Sequence, residues 1–352
     1  MKVAILNDTH CGIRNSSDVF LDNAEKFYDD VFFPYLLQNG ISRIIHLGDV
    51  FDNRKFINFR ALNRYRKSFL SRLREHGLHM DVIPGNHDTF FKNTNDLNSL
   101  KELLGHYMNE VTIHMEPSVL NLDGFKFAML PWITPENRDK SLEFISTCKA
   151  DWLGGHLELK NFEVMRGVQS HEGMDHKLFK RFEKVLTGHF HVGSERDNIK
   201  YVGTQMEFFW SDANDPKGFH VLDTSTRELE KINNPHTLFH KIIYDDSKTD
   251  YSAFIPDVTD KFVKIIVINK QDLFTFDRFV DRIQAQQIHD LKIAENFDEF
   301  LADNVETKEI AVEDTSLLLD NYIDTVNTDL DKDRLKTAMR NILIEAQTLE
   351  VA

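Results

Sequence analysis

Five short polar clusters interrupt the chain where an apolar run has just ended. They are Asp8-Thr9-His10, Gly48-Asp49, Gly85-Asn86-His87-Asp88, Gly155-His156 and Gly188-His189-Phe190-His191. Carboxylate oxygens, an amide oxygen and imidazole nitrogens are ligands suited to manganese, iron or zinc, and no thiolate accompanies them. Asp8 and His10 are spaced i and i+2, as are His189 and His191, so an extended segment would aim each pair at one place. Each cluster alone has an ordinary explanation. Asp-x-His arises by chance, Gly-Asp is a common turn, Asn-His-Asp can cap a helix, and a single histidine is more often packed than ligated. Five in one chain, each at the end of an apolar run, make a much stronger case.

The elements that would hold these clusters are legible around them. Lys2–Leu6 reads as a buried strand. Apolar residues at helical spacing follow over 22–38 (Ala24, Phe27, Val31, Tyr35), with Gly40 as the stop. Ile41–Leu47 is a second strand, 58–75 a second helix ended by Gly77, and Met80–Ile83 a third strand. This is an α/β rhythm whose strands end in polar residues, where open α/β sheets place their chemistry. From 111 to 235 short β-like runs dominate, which suggests a second sheet. Residues 244–260 read as a linker. Phe262–Ile268, 271–286 and Ile288–Ile293 then form a strand, helix and strand, and 305–352 reads as acidic and helical.

Composition narrows the class. The 352 residues suggest two domains and an appendage. Two cysteines, Cys11 and Cys148, exclude a disulfide framework and suit a reducing compartment. No stretch approaches the about 18 apolar residues of a membrane span, and the first residues are too short an apolar run for a signal peptide. The reading is a soluble cytoplasmic protein with no membrane partner. A net charge of -15 argues against binding nucleic acid through bulk charge, so any such function needs a local basic patch, a metal or a partner. One such patch exists: residues 54–74 hold eight bases and no acid, beginning five residues after Asp49. Arg54, Lys55, Arg60, Arg64, Arg66 and Lys67 are the expected DNA contacts, with a solvated helix face as the plainer alternative.

The ordered set Asp-x-His, Gly-Asp, Gly-Asn-His-Asp, Gly-His and Gly-His-x-His resembles the calcineurin-like metallophosphoesterase superfamily. Gly48-Asp49-Val50-Phe51-Asp52 and the added C-terminal segments are similar to the SbcD-type nuclease subunits of DNA double-strand-break repair complexes, in the compact form of tailed phages. The fold this implies is α/β, a two-sheet αββα sandwich over 1–240. A small α/β capping, DNA-binding domain follows over 241–300, and an acidic helical tail over 301–352. By position, Asp8, His10 and His191 would hold one metal ion, Asn86, His156 and His189 a second, and Asp49 would bridge both. The physics agrees with that division. A carboxylate spans two cations about 3.5–4 Å apart, and such a pair lowers the pKa of a water between them and clamps phosphate oxygens. Asn86 adds an oxygen without further negative charge. Manganese is the favoured ion, with magnesium, iron and zinc as alternatives.

The resemblance makes His87 the acid that assists the leaving oxygen, a task an imidazole of ordinary pKa can perform near neutrality. Asp88 is expected to orient it. Asp52 stands where archaeal relatives carry a histidine, three residues after the bridging aspartate, and is read as orienting His87 or organising water rather than as a ligand. The implied activity is exonuclease action on duplex ends and endonuclease action on single strands or hairpins, by a homodimer partnered with an SbcC-type coiled-coil ATPase. A phosphatase acting on a phosphomonoester or phosphoprotein, and a DNA-end tethering scaffold, are the alternatives. The ATPase would dock on the tail. There, residues 295–352 carry fifteen acids against five bases, yet Leu318, Tyr322 and Val326, and Leu335, Met339, Ile342 and Leu343, fall on single helical stripes. The location implied is the cytoplasm, the host's if the chain is phage-encoded.

Overall fold

A computed structural model describes residues 1–165, 168–170 and 172–295, together with Ile323, Asp331, Lys332, Arg334–Lys336 and Ala338. β1 (Lys2–Leu6), β2 (Arg43–His46), β3 (His79–Val82) and β4 (Val111–Ile113) lie side by side and parallel, in chain order. A second sheet follows, built from β5 (Ser118–Leu122), β6 (Phe125–Leu130) and β7 (Trp152–His156). After a short hairpin of β8 (Glu163–Met165) and β9 (Val168–Gln169), it is completed by β10 (Lys184–Gly188), β11 (Ser194–Arg196) and β12 (Ile199–Tyr201). Its order is β11-β12-β10-β7-β6-β5. The chain then returns to the first sheet. β13 (Gly218–Asp223) pairs antiparallel with β1, and β14 (Glu228–Asn233) with β13.

The period of two along each strand sorts the apolar side chains into layers. Val3, Ile5, Ile45, Leu47 and Ile83 of the first sheet meet Phe127, Met129, Trp152 and Leu186 of the second, forming the core between the sheets. Ala4, Leu6, Ile44, Met80 and Val82 point the other way, against Phe27, Phe32, Phe33, Phe69 and Leu73 of two helical runs. On the far side, Ala128, Leu130, Leu153, Val185 and Tyr201 are covered by Ile145 and Phe179. The result is helix, sheet, sheet, helix, the expected αββα sandwich. Both helical runs contain one wide turn, Tyr28–Phe32 in the first and Arg66–Leu70 in the second. The first begins at Asp18, a turn earlier than its apolar spacing suggests, and the second is capped by Asn58, whose side chain accepts from the Arg60 and Ala61 N–H groups.

β15 (Phe239–Asp245), β16 (Phe262–Asn269) and β17 (Asp290–Ala294) make a third, wholly parallel sheet, with the helix Leu273–Gln284 on one face. It has its own core of Tyr244, Tyr251, Val258, Val263, Phe276 and Phe279. The expected linker at 244–260 is therefore corrected. Tyr244 and Asp245 end a strand, and Tyr251 and Val258 are buried, because polar neighbours mask the three apolar anchors that this segment contributes. Of the tail, the carboxylate of Asp331 accepts the Arg334 N–H at 3.2 Å, and the Leu335 N–H reaches the Asp331 carbonyl at 3.0 Å. The expected apolar stripes otherwise lie outside the described residues, as does any docking surface there. Among the described residues no helix is long and apolar enough to cross a membrane.

Candidate metal centre

The five polar clusters meet at the C-terminal ends of β1, β2, β3, β7 and β10. Asp8, His10 and His191 bring donor atoms within 4.8 Å of one another, and so do Asp8, Asp49 and His156. The Nε2 atoms of His10 and His191 face each other at 3.2 Å. In the other half, the Asn86 Oδ1 lies 2.9 Å from both His156 Nε2 and His189 Nδ1. Asp49 stands between the halves, its Oδ2 3.2 Å from His156 Nε2 and 3.9 Å from His10 Nε2. All seven residues assigned by motif are thus brought together; Asp8 belongs to both donor groups, and a third group of His10, Asp52 and His87 adjoins them, so the expected division between two ions remains a proposal.

The electrostatics fit a cation. Burial pushes the Asp49 carboxyl up, but His156, His87 and His10 together hold it well below the usual carboxylate range. Burial also pulls His156 down, yet Asp49, Asp8 and the Leu47 carbonyl lift it to about 9. Two buried carboxylates therefore draw positive charge onto whatever stands between them. The His156 Nδ1 is 2.8 Å from the Leu47 carbonyl, which can only accept, so the proton sits there and Nε2 is turned to the site. The Asp52 Oδ1 lies 3.4 Å from His10 Nδ1, an electrostatic contact without hydrogen-bond geometry.

How the loops reach this arrangement differs from the expectation. Asp8 (φ 45°), His10 (φ 41°), Asp49 (φ 54°) and His189 (φ 87°) all occupy the left-handed region. Asp8/His10 and His189/His191 consequently converge through tight turns and not through the alternation of an extended segment. Such backbone costs on the order of 1–3 kcal/mol per residue and survives only where the surroundings enforce it. Two glycines show how close the loops come. A Cβ on Gly85 would lie 2.1 Å from the Asp49 Oδ1, and one on Gly48, at φ +95°, would lie 2.7 Å from the Gly85 nitrogen.

Asp88 is the staple between these loops. Its carboxylate accepts the N–H groups of Asp49 (2.8 Å), Val50 (3.1 Å), Phe51 (3.2 Å) and Gly85 (2.9 Å), and the Ser99 hydroxyl at 3.2 Å. Burial, reinforced by the Asp49 charge, lifts its pKa to about 6. The expected role as orienter of His87 passes instead to the Asp52 backbone. The His87 Nδ1 is 2.5 Å from the Asp52 carbonyl, and the His87 N–H donates to Asp49 Oδ1 at 2.7 Å. The His87 ring stands edge-on to His10 with centroids 4.9 Å apart.

Three supports went unread in the sequence. His46, wholly buried, accepts the Gly48 N–H at Nδ1 (3.2 Å), so its Nε2–H donates to the Thr9 hydroxyl at 3.0 Å. Burial drives its pKa down to about 3 and keeps it neutral. Lys217, also buried, donates to the His191 carbonyl (2.9 Å) and pairs with Asp212 (2.9 Å) and Asp215 (3.0 Å). The Phe209 ring is stacked on His191, with centroids 5.9 Å apart and planes 13° from parallel. The run Asp212-Ala-Asn-Asp-Pro-Lys217 between two apolar stretches was the available clue to the lysine.

Part of the basic stretch is engaged within the fold. Arg64 forms a fork with Glu25 (2.8 and 2.6 Å) and also reaches Asp22 at 2.6 Å, while Arg60 pairs with Asp18 at 2.9 Å. The first helical run carries acids at 18, 22, 25 and 29, one helical stripe, and this stripe faces the bases. Lys67 lines a concavity with Glu25, Asp29, Arg72 and Glu75, a surface of mixed sign. Arg66 is half-buried, as is Arg54, and Lys55, three residues after Asp52 in the chain, is exposed.

Residues 1–240 match the calcineurin-like phosphoesterase family, and the chain belongs to it. Its members bind divalent metals, and the converged donors are where this chain would hold them. The chain is 31% identical to exonuclease subunit 1 of Enterobacteria phage T4, over 98% of this chain and 99% of that one. It is 22% identical to the SbcD subunit of the SbcCD nuclease of Staphylococcus epidermidis, over 84% of this chain and 92% of the other.

The close approach of Gly85 to Asp49 generates a direct test. Gly85→Ala should displace the Asp49 carboxylate and lower the bound manganese per chain, read by elemental analysis, while overpacking removes about 1–3 kcal/mol from urea stability. Full metal content in the folded variant would contradict the geometry.

Proposed function

We propose that this chain is a manganese-dependent DNA phosphodiesterase, the nuclease subunit of an SbcCD-like repair and recombination complex. The observation that carries this is the convergence of seven donors from five loops around one shared carboxylate. The group would be held by Asp8, His10 and His191 on one side, by Asn86, His156 and His189 on the other, and by Asp49 between them. When bound, two divalent ions supply an activated water and charge stabilisation for an in-line displacement at phosphorus. The protein's own groups do the rest. Asp88 and the left-handed turns hold the donors in place before substrate arrives. The His87 Nδ1–H is tied to a carbonyl, so its Nε2 is the atom that delivers a proton to the departing oxygen. Asp52 serves through its carbonyl toward His87 and its carboxylate toward His10, a positioning role.

The near end-to-end likeness to an exonuclease subunit and to a nuclease subunit favours DNA over a phosphomonoester. Duplex ends would be degraded exonucleolytically, and single strands and hairpins cut internally. Arg54 and Lys55, which follow Asp52 closely in the chain, are the retained candidates for DNA contact. A homodimer, an SbcC-type coiled-coil ATPase docked on the tail, and the host cytoplasm complete the reading.

Incubation with linear duplex DNA and Mn²⁺ should shorten the DNA and stop on chelation. Turnover of p-nitrophenyl phosphate alone would favour the phosphatase, and no turnover at all the tethering scaffold. In the same assay His87→Ala should lower kcat by roughly 10²–10⁴ and retain its metal. Metal loss, or a near wild-type rate, would remove His87 from the reaction. Deleting 305–352 should abolish ATPase association in pull-down while leaving metal-dependent cleavage intact. Full-affinity binding by the truncated chain would move the docking site elsewhere.

A further inference from the structure

The chain leaves His10 by an unusual route. Arg14 (φ 54°), Asn15 (φ 54°) and Ser16 (φ 58°) are three successive non-glycine residues in the left-handed region. Single residues visit it at a cost of roughly 1–2 kcal/mol each, and runs of three are not a default of L-amino acids. Neighbours enforce the turn. The Ser16 N–H donates to the Gly12 carbonyl at 2.8 Å, the Ser17 N–H to the Arg14 carbonyl at 3.1 Å, and the Arg60 guanidinium to the Ser16 carbonyl at 3.4 Å.

The consequence of this strained turn is the placement of Arg14. Its Nε donates to the Phe208 carbonyl at 3.2 Å, and its Cζ lies 4.7 Å over the Phe209 ring, the ring that stacks on His191. Nε is thereby used, and the flat face is packed. The two terminal amino groups of the fork are left for another partner. Among the described residues Arg14 forms no ion pair, in contrast to Arg60 and Arg64 nearby, and its side chain is exposed. Partial desolvation by its neighbours lowers its pKa, offset by the charges of Asp212, already engaged by Lys217, and Asp52 at the His10 side of the site. A guanidinium fixed by stacking, with a free fork at the mouth of a phosphoester site, is built for a phosphate group.

We propose that Arg14 is a positioning residue that holds a backbone phosphate of the DNA strand adjacent to the one being cleaved. The proposal rests on the nuclease reading. The guanidinium and His191 both contact the Phe209 ring, so Arg14 is one aromatic ring removed from a donor of the group that would surround the scissile phosphate. It reaches the next group along a polymer and adds little to a substrate that has no next phosphate.

The test compares wild type, Arg14→Gln and Arg14→Lys, as full chains with Mn²⁺, on a labelled oligonucleotide and on bis(p-nitrophenyl) phosphate. Arg14→Gln should raise KM for the oligonucleotide at least tenfold, and the loss on the small diester should be at least tenfold smaller. The log–log salt dependence of oligonucleotide binding should flatten by about 0.7–0.9, the share of one phosphate contact. Arg14→Lys should recover the salt slope but not the KM, since an ammonium neither stacks nor forks. Equal losses on both substrates would mean that Arg14 supports the centre itself and would overturn the proposal. So would an unchanged KM and slope. Wild type that turns over the small diester but neither binds nor cuts the oligonucleotide would overturn this proposal and the nuclease reading together.

Discussion

Two carboxylates, Asp8 and Asp49, are buried at the ends of adjacent parallel strands with almost no access to water. Buried charge of one sign is tolerated only when opposite charge is brought to it. Here the opposite charge is drawn from imidazoles, and His156 is lifted to about 9 because it stands in that field. A pair of cations satisfies the same demand with better geometry, since His156 has its other ring nitrogen tied to the Leu47 carbonyl and turns Nε2 to the site. The centre is therefore a place where the fold accepts an electrostatic deficit that its ligands remove.

Much of the surrounding structure follows from holding that deficit in place. Four of the seven donor residues sit in left-handed backbone, and Gly85 passes so close to Asp49 that no side chain fits between them. The forces that hold these turns are visible. Asp88 collects four backbone N–H groups from two loops, His46 ties the Thr9 loop to Gly48, and Lys217 grips the His191 carbonyl from behind. Breaking a buried ion pair such as Lys217–Asp212 from one side typically costs about 3–5 kcal/mol, so such supports are expensive to lose even though they never touch a substrate. The same logic extends to the strained turn at 14–16, which fixes an arginine at the rim.

The sequence made the donors and the sandwich legible because both follow local rules. Strands 2–6, 43–46 and 79–82 announce themselves by apolar runs, and each ends in its polar cluster. What it concealed depends on partners far along the chain. Asp88 sits beside His87 in sequence, which suggested a pair, but its carboxylate turns toward the Asp49 loop. The bases at 60 and 64 looked free because the acids that neutralise them, at 18, 22 and 25, belong to another helix. Tyr244, Tyr251 and Val258 read as linker because three anchors spread among polar residues have no period. The i, i+2 spacing of Asp8 and His10 does not distinguish a left-handed turn from a strand, since both bring the two side chains together.

The shared role of Asp49 is the claim on which the account stands, and metal stoichiometry tests it most directly. Manganese bound per chain should be measured by titration calorimetry and elemental analysis for wild type, Asp49→Ala and His10→Ala. The account predicts two ions in wild type, loss of both in Asp49→Ala, and loss of one, with the other retained, in His10→Ala. One ion per wild-type chain at saturation, or an Asp49→Ala variant that keeps one ion at full affinity, would contradict it.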